Sequence, residues 1–161
     1  MAGGDNTPQE IVQGAYALLG ARYRPWHTGD PIPMWRKDGA GDPPAPWHLQ
    51  NVGVMGADLI NYALERIGLP PGGGTGTFGH YLVNTANFDP DSPAEVGAIA
   101  FRPYHGPNDD GSIALYVGPH QLIQSIPGEG VTDAYTDQET YKWNEPRYHF
   151  TVYGFLPRVN Y

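Results

Sequence analysis

Apolar residues recur with a helical period in two stretches of the chain. In the first, Ile11, Ala15, Leu18 and Leu19 form one stripe within residues 7–19. Thr7 stands where an N-cap belongs, Pro8 takes the first helical position, and Glu10 completes a capping-box pattern with Thr7. Gly20 is the stop. In the second, Leu59, Ile60, Ala63, Leu64 and Ile67 share one face of a helix expected from about Gly56 to Ile67. Gly68 ends it, and Pro70-Pro71 prevents continuation. Residues 22–51, between these helices, carry six prolines and Trp26, Trp35 and Trp47. They read as one long loop, of a length that is usually functional or covering. Its aromatic residues either wall a binding groove or pin the loop to the core.

Beyond residue 70 the pattern changes. "GGGTGTFG" (72–79) is glycine-rich but lacks the Lys-Ser/Thr end and the preceding strand of a phosphate loop. It reads as a linker into a short helix at 78–86. Short apolar runs then predict strands at 96–101, 112–118, 121–126 and 148–156, with Pro119-His120 as a hairpin turn between the second and third. Helices first and antiparallel strands after predict a single α+β domain over residues 1–161.

Composition narrows the function. Glycine (22) and proline (17) make about a quarter of the chain, but they are interspersed with aromatic and aliphatic residues, which describes a loop-rich globular domain. A net charge of −8 opposes binding to a nucleic-acid backbone or an anionic membrane surface. No apolar run approaches the ~20 residues of a membrane span. Residues 1–6 show neither the charged nor the apolar region of a signal peptide, so the expectation is synthesis without a secretion signal. The chain has no cysteine, which excludes disulfides, thiolate metal sites and a cysteine nucleophile. His80, His105 and His120 with Asp109 and Asp110 fit no metal-ligand spacing, and no metal or cofactor is expected. "PNDDG" (107–111) is a turn by composition and lacks the further ligands of a calcium loop. Ser112 and Ser125 lack the strand–turn–helix setting of a serine nucleophile.

Five stretches together resemble the NlpC/p60 cell-wall cysteine peptidases. "IVQGAYALLGARYRPW" (11–26) is similar to their opening helix with its Leu-Gly-x-x-Tyr-x-Trp ending. "MGADLINYALERIGLP" (55–70) resembles their Asp-Cys-Ser-Gly-Leu-Val motif, helix and terminal Gly-x-x-Pro. "EVGAIAF" (95–101), "SIALYVG" (112–118) and "QLIQSI" (121–126) resemble three of their strands, in the same order. The resemblance covers about residues 10–156 and implies a papain-like fold, with N-terminal helices packed on a small antiparallel sheet. The family's nucleophile Cys maps to Gly56, its base His to Ser112 and its orienting polar residue to Gln124. The flanking Asp, Ser and Gly map to Met55, Ala57 and Asp58, and the Asp of the Gly-Asp strand to Ala98.

Two of the three catalytic groups are thus missing. A glycine cannot attack, and a serine hydroxyl is a poor base near neutral pH. His48, His105 and His120 could supply a base but not a nucleophile. The resemblance then implies a catalytically degenerate domain, by natural divergence in preference to engineered inactivation. Such a domain would bind peptidoglycan stem peptides, with Trp26, Trp35 and Trp47 lining the groove and His48, Asp58, Ser112 and Gln124 as polar contacts. Alternatively it would be a structural part of a phage tail or lysis module, located in a virion or at the cell wall and partnered by other phage proteins. The remaining alternative is an active peptidoglycan endopeptidase or amidase.

Overall fold

The computed structural model describes residues 5–74, 83–84, 96–102, 112–118, 121–136 and 152–161. Among the described residues four helices precede all the strands. They are α1 (Pro8–Tyr16), α2 (Trp35–Asp38), α3 (Pro46–Val52) and α4 (Gly56–Arg66). The strands are β1 (Val83–Asn84), β2 (Ile99–Arg102), β3 (Ser112–Gly118), β4 (Gln121–Ile126), β5 (Gly130–Thr136) and β6 (Val152–Phe155). They form one antiparallel sheet in the order β1-β6-β2-β3-β4-β5. This is the α+β architecture that the sequence pattern predicts.

The capping box at Thr7 and Glu10 forms as read: the Thr7 hydroxyl accepts from the Glu10 amide, and the Glu10 carboxylate accepts from the Thr7 amide. α1 packs on α4 at Gly14, where an added Cβ would lie 2.9 Å from the Ala63 Cα. A side chain at residue 14 would hold the two helix backbones apart. The face of α4 thereby placed inward joins Ile11, Leu18, Ile60 and Leu64 to the sheet residues Ile99, Phe101, Ile113, Leu115 and Ile123. The strands alternate as a sheet with two apolar faces must. Ala98, Ala100, Ala114, Tyr116 and Leu122 form a second cluster.

Four expectations are corrected. Residues 22–51 are not a single loop, because α2 and α3 lie within them. Pro46 opens α3 at a first-turn position, where its missing N–H costs nothing, and buried Leu49 anchors the helix. Val83–Asn84, inside the helix expected at 78–86, is a strand paired with Phe155 and Gly154. Backbone pairing with β6 overrides the local pattern there, and the rest of that stretch lies outside the described residues. The strand expected at 96–101 begins only at Ile99; of the strand expected at 148–156, Val152–Phe155 is β6 and residues 148–151 lie outside the described residues. β5 was not expected at all. Its Asp133 and Gly130 weaken the apolar alternation, and its place comes from pairing with β4, at Gln124↔Thr132 and Ser125↔Val131. The Pro119-His120 turn lies outside the described residues, although β3 and β4 pair antiparallel on either side of it.

Candidate functional site

The site is built where the entry to α4 meets the sheet. Met55 precedes α4 in an extended conformation (φ −87°, ψ 171°) and makes no side-chain capping bond. The first-turn amides of α4 therefore have no cap from that side chain, which concentrates positive potential at this end. Val54 is held from two sides. Its amide donates to the Arg22 carbonyl at 2.8 Å, and its carbonyl accepts from the Arg24 amide at 3.1 Å. Buried Ser125 of β4 adds a third tie, its hydroxyl donating to the same carbonyl at 2.8 Å.

Gly56 is the first residue of α4 and is half-buried. A Cβ there would lie 3.2 Å from Ile113 Cγ2, 3.6 Å from the Ile113 carbonyl oxygen and 3.9 Å from that of Ser125. The position mapped to the nucleophile thus faces β3 and β4, and a methyl group of Ile113 stands at it. Ser112, mapped to the base, is the neighbour of Ile113 at the start of β3, where its backbone pairs with Arg102. Gln124, mapped to the orienting residue, is buried on β4, which pairs with β3. The three mapped positions therefore sit on adjoining elements around one junction. His105 and His120 lie outside the described residues, as do His80 and residues 107–111. Among the described residues no group of three His, Asp or Glu is placed to hold a metal, and no helix is long and apolar enough to cross a membrane.

The other expected contact residues divide. Trp47 is 65% exposed and Trp26 44%. The Trp26 indole donates to the Asp30 carbonyl at 3.0 Å. Trp47 meets the His48 ring edge-on. The His48 Nε2 lies 3.6 Å from an Asp38 carboxylate oxygen that also pairs with the Arg24 guanidinium at 2.9 Å. Trp35, by contrast, is fully buried and packs edge-on against Tyr62, so it pins its segment to the core and lines no groove. Asp58 is also a correction. It is 1% exposed and faces inward, where its Oδ2 accepts from the Met34 amide at 3.1 Å and its Oδ1 has no hydrogen-bond partner. Burial pushes its pKa up to about 6, against the Met34 amide and the positive charge of Arg24, which favour the ionised form.

Sequence reasoning missed Ile113, Arg24 and Asp38. Ile113 reads as an ordinary strand residue, and Asp38 lies in a segment without periodicity. Arg24 carried a usable signal, since it lies within the stretch similar to the family's helix ending.

No protein-family model matches the sequence, and no curated protein matches it. Solved structures do match. The P60 domain of antigen MAP1204 from M. avium subspecies paratuberculosis is similar over 96% of both chains, with 17% identity and a TM-score of 0.59. An NLP/P60-family lipoprotein-like protein of Staphylococcus aureus, SAV0400, is similar over 97% of this chain and 43% of its own, with 14% identity and a TM-score of 0.56. The Resuscitation Promoting Factor Interacting protein RipA is similar over 96% of this chain and 63% of its own, with 15% identity and a TM-score of 0.55. This chain therefore has the papain-like α+β fold of NlpC/P60 domains. At these identities the likeness is one of fold, and the chain spans less than two thirds of the latter two proteins.

Proposed function

We propose that this domain binds the peptide stems of bacterial peptidoglycan without cleaving them. The observation that carries the reading is the junction at Gly56. An NlpC/P60 fold has kept its helix terminus facing the sheet, but the residue there has no side chain and Ile113 packs against the vacated direction. Substrate recognition and nucleophilic attack are separable, since a cleft can retain binding contacts after the attacking group is lost. Exposed Trp26 and Trp47, with His48 beside Trp47, remain available to a ligand.

A second reading is favoured by the same Ile113 contact. A filled junction suits a domain that persists as a building block, for which a phage tail or lysis module is the setting. Purified peptidoglycan separates the two. The chain as it stands is incubated with it beside a Gly56→Cys, Ser112→His variant, and pelleting and released fragments are followed. Binding predicts that the unmodified chain pellets without releasing fragments. Absence of pelleting by both proteins refutes stem binding and leaves the structural reading.

A further inference from the structure

Asp58 and Glu65 lie seven residues apart on α4, on the same side of the helix. Both grip one short segment. Asp58 accepts from the Met34 amide, and Glu65 pairs with the Arg36 guanidinium, which also binds Asp42. Within the segment Lys37 pairs with Asp30, and Asp38 ties it to Arg24. Between the two grips, Met34 and Trp35 are buried. The Asp58 Oδ1 and Glu65 Oε2 atoms are buried without hydrogen-bond partners. Each carboxylate is thus under-satisfied while the segment is closed, and solvent would complete its hydrogen bonds if the segment lifted.

We infer that residues 30–42 form a strap closed over α4 by a two-point carboxyl clamp, locked in acid and loosened towards neutral pH as the two buried carboxyls ionise. The groups facing Asp58 are few. Arg36 approaches from the segment, Arg24 from the chain before it and the Asn61 side chain from α4 itself, and all three favour its ionised form. β3 and β4, which pack on α4, contribute no Asp, Glu, Lys, Arg or His. The one charged residue of α1 is Glu10, occupied in the capping box. Glu65 faces Arg36 and Asp42, and its pKa is pushed up to about 7 by burial and by Asp42, against the Arg36 charge. The sign follows from the closed state holding the proton more tightly than the open state. Opening is least populated below the ordinary carboxylate pKa and increases as pH rises through the closed-state value. For Asp58, rising from 3.8 to about 6 on closure, the opening constant grows roughly 25-fold between about pH 4.5 and 7.5.

Amide hydrogen exchange, corrected for intrinsic rates, reads this directly at the Met34 amide. The protection factor of Met34 should fall by at least roughly 25-fold between those two pH values in the unmodified chain, by roughly 25-fold less in Asp58→Asn, where Glu65 still titrates, and stay level when Glu65→Gln is added to Asp58→Asn. At neutral pH its exchange should respond weakly to low urea, while the core amide of Ile123 responds in proportion to global unfolding. A level profile in the unmodified chain overturns the clamp, as does a fall that is undiminished in Asp58→Asn. So does a Met34 urea response equal to that of Ile123, which would mean that the strap opens only with the whole fold. If Asp58→Asn does not fold, the pH profile and the urea comparison on the unmodified chain still decide.

Discussion

Installing a thiol at Gly56 tests the reading of the α4 terminus most sharply, because the chain contains no other cysteine and every thiol signal comes from that one site. In Gly56→Cys the new Cβ meets Ile113 Cγ2 at 3.2 Å, a few tenths of an ångström inside comfortable contact. The neighbouring group is a methyl at the end of a side chain, so a small rotation relieves it. Replacing glycine also gains about 0.4–1 kcal/mol by restricting the unfolded chain. These terms oppose each other, and the expected change in stability is within about 1 kcal/mol. The uncapped helix terminus then acts on the sulfur. A favourable field of about 0.3–2 kcal/mol for an anion at such an end lowers the ordinary thiol pKa of about 8.5 by roughly 0.2–1.5 units. Asp58, two residues along α4 and ionised at that pH, opposes the shift. A thiol pKa of about 7.5 is expected, falling by a few tenths more when Asp58→Asn is added. The pH dependence of alkylation by iodoacetamide under native conditions measures it. A midpoint at or above about 8.5, or reaction only after unfolding, would falsify the placement of Gly56 at a half-buried, electropositive helix end.

Three further outcomes follow from the packing. Gly14→Ala should destabilise by about 1–2 kcal/mol in urea unfolding, since a 2.9 Å approach to the Ala63 backbone outweighs the roughly 0.5–1 kcal/mol gained in helix propensity; a more stable variant would show that the helices are not in that contact. Trp35→Ala should cost about 3–5 kcal/mol, as for a large aromatic removed from a core, and a loss under about 1 kcal/mol would return Trp35 to the surface. The unfolding free energy of the unmodified chain, taken relative to Asp58→Asn, should fall as pH rises from about 4 to about 6 and then level off. Its ceiling is about 3 kcal/mol, because ionising this buried carboxyl is costlier in the folded state than in the unfolded one. A difference constant across that range would show that Asp58 is not held protonated by burial.

Much of this protein was legible from sequence. The capping box at Thr7, the apolar face of α4 and the strands at 112–118 and 121–126 all follow from local chemistry or from a period written along the chain. Side-chain stereochemistry and backbone hydrogen bonding act over a few residues, so a few residues reveal them. The order of elements likewise carried the α+β class, because helices followed by hairpin-spaced strands leave few ways to bury both apolar faces.

Only the tertiary structure decided what each polar or aromatic residue faces. Trp35 and Trp47 sit in similar proline-rich surroundings, yet one is sealed against Tyr62 and the other stands in solvent. Asp58 is expected from sequence as a polar contact of the groove, and is instead a buried carboxyl on which the strap sets the Met34 amide. β5 exists because β4 offers it an edge, and the methyl at the Gly56 junction comes from a residue 57 positions further along the chain, Ile113. Burial and contact are made by residues distant in sequence, and their energies depend on what is excluded from the same space, which no local pattern records.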